Sequence, residues 1–164
     1  MPEPPPPIDT PAIRAARAFG IAFEVIATAR PGSADESAAL QGIELHRLLR
    51  TIVIRRGHDD YVFVLVPGGR QIHWPTLRAH LAVKRLSLPD EAEAKAATGY
   101  ERGAITPFGS TAPWPVIADA TIQGAVAIGG GARGVNLHLD AADVFEALRA
   151  TIADVTVPDD RPRG

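Results

Sequence analysis

Two runs rich in β-branched and aromatic residues, "RTIVIRR" (50–56) and "YVFVLVP" (61–67), are separated only by Gly57, His58, Asp59 and Asp60. No other feature constrains the fold as strongly. Side chains branched at Cβ lose rotamer freedom in a helix and pack well on a pleated surface. Turn residues between two such runs bring the second back antiparallel to the first. A hairpin this apolar needs cover, so the rest of the chain must supply helices and further strands.

The flanking segments carry those signals. Thr10 before Pro11 opens a helix that Gly20 stops, and Ser33 with Glu36 forms a capping box for a second helix through Leu40. A short helix follows Pro75 as far as Leu81. Another spans "DEAEAKAA" (90–97), and a last one, 141–150, is capped by Asp140 with Asp143 in its first turn. Strands are expected at 21–27, 84–88, 114–119, 125–129 and 134–139. Strands outnumber helices and hairpins outnumber crossovers, so the expected class is α+β, a mixed, largely antiparallel sheet flanked by helices. Residues 10–156 are expected to form one domain. Residues 1–9, with "PEPPPP", should be an extended polyproline tail, and 157–164, "VPDDRPRG", a flexible one.

Composition narrows the chemistry. The 164 residues include no cysteine, which removes disulfides, thiolate metal sites and a cysteine nucleophile, and fits a reducing cytoplasm. No His-x-x-x-His spacing is present, and His58 lies in a predicted turn, so neither a metal nor another cofactor is expected. No apolar run is long enough to span a bilayer, and the start lacks the basic and apolar regions of a signal peptide; no membrane partner is expected. The formal charge of −2 argues against coating long nucleic-acid backbones such as DNA, but leaves room for a local contact with a nucleic-acid end. "GGGARG" (129–134) lacks the Lys-Ser/Thr of a phosphate loop and the context of a dinucleotide site, so it is expected to turn between strands, with Arg133 available to a ligand. There is no G-x-S-x-G elbow, and Ser110 and Thr106 are better placed as wall hydroxyls than as nucleophiles.

One segment remains, "ATGYERGAITPFG" (97–109), with three glycines and a proline in a short span. Such a run suits a backbone that turns tightly or approaches a ligand closely. In order along the chain, "TPAIRAARAFGIAFEV", "LLRTIVI", "ATGYERGAITPFG" and "GGGARGVNLHLDAADV" resemble the YbaK/ProX-type aminoacyl-tRNA deacylases, relatives of the editing domain of bacterial prolyl-tRNA synthetases. The resemblance covers roughly residues 10–155 and agrees with the α+β reading. It implies a hydrolase that cleaves the ester of mischarged tRNA in the cytoplasm. Its partners would be the aminoacyl-tRNA acceptor end and an aminoacyl-tRNA synthetase.

The resemblance also implies a site. "GAITP", Gly103 to Pro107, matches the family's G-x-x-x-P loop beside the aminoacyl ester. Gly103, Ala104, Ile105, Thr106, Pro107 and Phe108 are thus placed around substrate, where loop amides bind the ester carbonyl and the developing oxyanion. Arg50 stands where much of the family has a lysine important for deacylation; it keeps the charge but cannot act as a general base. Thr28 replaces a tyrosine and Asn136 an aspartate of the cysteine-specific members. The expectation is one pocket holding Arg50, the Gly103 loop and Asn136, with Thr28 on its rim. Water, or the substrate's own ribose hydroxyl or side chain, supplies the nucleophile. The competing reading is a catalytically impaired relative that binds an acceptor end or a synthetase without hydrolysis; a small-molecule esterase is a weaker third.

Overall fold

The computed structural model describes residues 7–160. Residues 1–6, which hold all of the "PEPPPP" run but its last proline, and the last four residues lie outside this range. The hairpin forms as read: β2 (Leu49–Gly57) pairs antiparallel with β3 (Asp60–Pro67), Val53 opposite Phe63. Two short strands extend it in parallel, β5 (Val116–Asp119) on β3 and β8 (Thr151–Ala153) on β5, giving the order β2-β3-β5-β8. A second, antiparallel sheet has the order β1-β7-β6, from β1 (Glu24–Ala27), β7 (Val135–Asp140) and β6 (Ala125–Ala132). A bridge from Leu48 to Ala127 joins the two sheets at the mouth of β2. β4 (Arg70–Ile72) pairs antiparallel with β9 (Thr156–Pro158). The architecture is α+β with mixed, largely antiparallel sheets.

Five helices surround these strands: α1 (Pro11–Ala18), α2 (Ala34–Gln41), α3 (Trp74–Leu81), α4 (Glu91–Thr98) and α5 (Ala141–Leu148). Three start at the caps the sequence announces, and α4 starts one residue later than read, with Asp90 as its cap rather than its first residue. Thr10, Ser33, Asp90 and Asp140 each accept an amide from the first turn of their helix, and Glu36 reaches back to the Gly32 amide.

β3 divides the core. Tyr61, Phe63 and Leu65 face one cluster with Ile13, Phe108, Ile128, Leu137 and Val144, while Val62, Val64 and Val66 face a second with Ile54, Leu77 and Ile117. A strand buried on both faces needs a continuous apolar run rather than alternation, which is why "YVFVLV" is unbroken.

Three expectations change. The strand at 84–88 reduces to one bridge, in which Ser87 and Arg55 exchange amide–carbonyl bonds; the charged start of "KRLSL" and Pro89 after it leave no room for a ladder. In 21–27 only the last four residues pair, while Ile21 and Phe23 pack against the core without strand partners. Regular structure also runs past the expected boundary at 156: Val157 and Pro158 pair with Gln71 and Arg70, and the Asp159 amide donates to the Gly69 carbonyl. The pairing holds those residues against β4, whatever their composition suggests.

Candidate active site

The glycine loop hangs from the C-terminus of α4 and is tied at its base. Gly99 ends the helix in a left-handed conformation, and the Thr98 hydroxyl accepts from the Tyr100 amide while donating to the Ala94 carbonyl. The Tyr100 hydroxyl donates to the Phe108 carbonyl at 2.6 Å, closing the segment between them. Burial pushes that phenol up to about 12, so it remains a neutral donor, with only a weak opposing pull from Arg14. Farther along, the Trp114 indole and the Thr111 hydroxyl both donate to the Ala97 carbonyl.

At the tip, Gly103 has φ +88°, a conformation that side chains with a Cβ rarely adopt. A Cβ there would sit 3.3 Å from Nε of Arg133, which itself donates to the Arg102 carbonyl. The Ala104 amide donates to the Glu101 carbonyl at 2.9 Å, whereas the amides of Gly103, Ile105 and Thr106 have no partner among the described residues. Of the three, only Gly103 lines a cleft, and an unpaired amide there is the kind of donor that oxyanion stabilisation requires.

The opposite wall comes from the β6–β7 hairpin. Its ladder slips between Gly129 and Ala132, a bulge where the Thr10 hydroxyl donates to the Gly130 carbonyl at 2.6 Å. Gly131, at φ +90°, lies so close to α1 that a Cβ would meet Thr10 and Ala12 at 3.1 Å. "GGGARG" is thus a bulge plus a turn that seats α1 and aims Arg133 over the loop.

Between loop and hairpin lies a cleft of about 340 Å³, lined by Gly103, Arg102, Arg133, Arg30, Ser37, Gly129 and Asn136 among others. A neighbouring cleft of about 370 Å³ shares Arg30, Ala132 and Arg133 and adds Tyr100 and Ala104. Three arginines therefore converge on the loop, while Glu101, which lines the neighbouring cleft, is ion-paired with Lys95 at 3.6 Å. No carboxylate or imidazole lines the first cleft. Its donors and cations can bind phosphate and stabilise a developing negative charge, but no side chain there can take a proton as a carboxylate or histidine would.

The residues picked out from sequence divide. Gly103 and Asn136 line one cleft, although far apart in the chain. Ala104 lines the neighbouring one. Ile105 is half-buried against the core, and Thr106, Pro107 and Phe108 are buried. The Thr106 hydroxyl accepts from the Phe108 amide, and the Phe108 ring meets Phe19 edge-on at 6.0 Å, so these residues anchor the loop. Thr28 gives its amide to the Gly134 carbonyl and its hydroxyl to the Ala29 carbonyl, beside the cleft, with Arg30 and Pro31 forming the wall. Arg50 does not join them. It pairs with Val66, shares the face of Ile52 and Ile54, and donates to the Arg70 carbonyl of β4. The two-residue period of a strand places it there, on the face away from Leu49 and Val53.

Arg30, Arg102 and Ser37 were missed. Only Arg102 had a readable signal, its position beside Gly103. Thr51 is a further surprise: its Oγ1 is buried without a hydrogen-bond partner, on the opposite face of β2 from Arg50.

Comparison with known proteins agrees with this fold. The model of the aminoacyl-tRNA editing domain matches residues 31–147. A protein of Enterococcus faecalis named for Cys-tRNA(Pro)/Cys-tRNA(Cys) deacylase activity, EbsC, is 25% identical over 126 residues, covering 76% of this chain and 77% of its own. The proline–tRNA ligase of Streptococcus equi subsp. equi is 28% identical over 121 residues, covering 74% of this chain but only 19% of the ligase. Among solved structures, one named for trans-editing with prolyl-tRNA synthetase superposes with TM-score 0.82 at 20% identity, covering 92% of this chain and 99% of its own. The protein APE2540 gives 0.80 at 22%, covering 90% and 99%. With the family model spanning the Gly103 loop and both walls of its cleft, the chain belongs to the aminoacyl-tRNA editing domain family.

Proposed function

We propose that the protein is an aminoacyl-tRNA deacylase acting in trans, which hydrolyses the ester between a wrongly attached amino acid and the terminal ribose of a tRNA. The observation that carries this reading is the cleft under Gly103: the unpaired Gly103 amide, three arginines and Asn136, with no carboxylate or imidazole among the described residues of its lining. Water adds to the ester carbonyl carbon, and the negative charge that develops on the carbonyl oxygen is met by the Gly103 amide. The bond to the ribose oxygen then breaks. The proton lost by water reaches that leaving oxygen through the neighbouring ribose hydroxyl, since the cleft lining offers no side-chain base. Arg30, Arg102 and Arg133 hold the phosphates of the acceptor end, and Asn136 contacts the amino acid. The activity belongs with translation in the cytoplasm, alongside an aminoacyl-tRNA synthetase.

The name of the E. faecalis relative makes cysteinyl-tRNA(Pro) the first substrate to try, and Asn136 in place of an acidic residue makes the small amino acids alanine, serine and threonine the next. The test is hydrolysis of tRNA mischarged with each of the four. Release above the buffer rate for at least one supports the reading. Saturable tRNA binding with no turnover on any would instead favour a non-catalytic binding protein.

A further inference from the structure

A second basic cleft, of about 680 Å³, opens at the far end of α4, lined by Arg55, Arg56, Arg78, Lys84, Arg85 and Ser87 among others, with no acidic residue in its wall. We infer that this cleft binds phosphates of the acceptor stem of the same tRNA whose aminoacyl end lies in the Gly103 cleft. The inference rests on the deacylase reading for the identity of the RNA.

The charge is concentrated beyond what the chain as a whole predicts. The protein is formally −2, yet five of its 17 Lys and Arg residues line this one cleft. Two are held from below: Arg56 makes two hydrogen bonds to the Asp60 carboxylate, and Arg55 lies 3.7 Å from Glu93. Arg78, Lys84 and Arg85 have no ion pair among the described residues, and Lys84 and Arg85 are exposed. Unneutralised cations beside a hydroxyl, in an open cleft, suit a string of exposed phosphates rather than a small ligand, which would require enclosure.

α4 supplies the connection. Its first turn adjoins this cleft through the Glu93–Arg55 contact, and its C-cap Gly99 lines the cleft of Tyr100 and Ala104, which shares Arg30 and Arg133 with the Gly103 cleft. The eight residues of the helix span roughly 12 Å at about 1.5 Å each. The inferred course of the RNA runs from its end under Gly103 along α4, with its stem phosphates at Arg78, Lys84 and Arg85. An acidic protein would satisfy the charge but not this link to the Gly103 cleft.

The experiment compares the full-length protein with an Arg78→Ala/Lys84→Ala/Arg85→Ala variant, after matching their melting temperatures, with Arg78→Lys/Arg85→Lys as the charge-retaining control. Binding of an uncharged acceptor-stem minihelix is measured across salt concentrations. Turnover is measured on aminoacyl-tRNA and on an aminoacylated trinucleotide that lacks the stem. The expected result is a 10–100-fold weaker minihelix affinity for the triple variant and a salt slope shallower by about two, as about 0.7–0.9 is lost per phosphate contact. KM for aminoacyl-tRNA should rise, turnover on the trinucleotide should be unchanged, and the control should retain most of the affinity. Equal affinity and salt slope in the wild type and the triple variant overturn the inference even if both hydrolyse tRNA. So does a wild type that ignores the minihelix but retains polyglutamate at physiological salt, which would assign the cleft to an acidic protein. Weakened minihelix binding without hydrolysis by any form would leave the cleft standing and sink the deacylase reading instead.

Discussion

At the scale of single residues, Gly103 carries the most specific demand. Its φ of +88° and the Arg133 side chain 3.3 Å from the position of a Cβ leave no easy place for alanine. Gly103→Ala should cost about 1–2 kcal/mol of stability from the left-handed conformation, visible as a fall of a few degrees in melting temperature. Turnover should fall at least about tenfold, because the displaced amide no longer meets the oxyanion; unchanged turnover would remove the loop tip from the chemistry. Arg50 makes the opposite case. Its hydrogen bond to the Arg70 carbonyl ties β2 to β4, so Arg50→Ala should register first as a lower melting temperature. A loss of about 10²–10³ in saturated turnover with unaltered stability would return it to the site. The sequence could name Arg50 by its place in a motif and set it opposite Leu49 and Val53 by alternation, but not which face of the sheet the Gly103 loop would cover.

At the scale of elements, the loop works because it is clamped. Tyr100→Phe leaves the buried Phe108 carbonyl without its donor, a change expected to cost about 1–3 kcal/mol and to lower turnover by loosening the loop rather than by removing a reacting group. Thermal melts and kinetics of the same variant check both halves, and normal stability would contradict the clamp. The elements themselves were legible where their determinants are local. Thr10, Ser33 and Asp140 announce their helices because a cap bonds an amide two or three residues away. β8 and β9 were invisible because three residues carry almost no periodicity, and their partners Ile117–Asp119 and Arg70–Ile72 lie far away in the chain. The same distance hid Arg30: nothing local says that it will meet Arg102 and Arg133.

At the scale of the whole molecule, Asp119 joins the three-residue strands to the core. It is buried, accepts from the Thr121 amide and hydroxyl and from the Val155 amide, and lies 3.9 Å from Nε of Arg70, which also holds Thr156. Burial by itself would raise its pKa, but the hydrogen bonds from Thr121, Val155 and Thr156 outweigh it and hold the carboxyl below its ordinary value of 3.8. A depressed carboxyl contributes stability that is present above its unfolded pKa and lost as pH falls through the folded one. Denaturant melts should therefore show stability declining below the ordinary carboxylate range. Asp119→Asn should be less stable at neutral pH and show a shallower decline; an identical acid profile would mean that Asp119 is not the group responsible. The central claim remains that the cleft under Gly103 cleaves aminoacyl esters without a protein base. It is tested most directly by the pH dependence of single-turnover hydrolysis on the mischarged tRNA the protein prefers, measured for the wild type and Gly103→Ala. The account predicts release above the buffer rate, no inflection from a carboxylate or imidazole of the protein, and a uniform drop in the variant. No release from any of the four mischarged tRNAs, or a rate that Gly103→Ala leaves unchanged across the pH range, would contradict it.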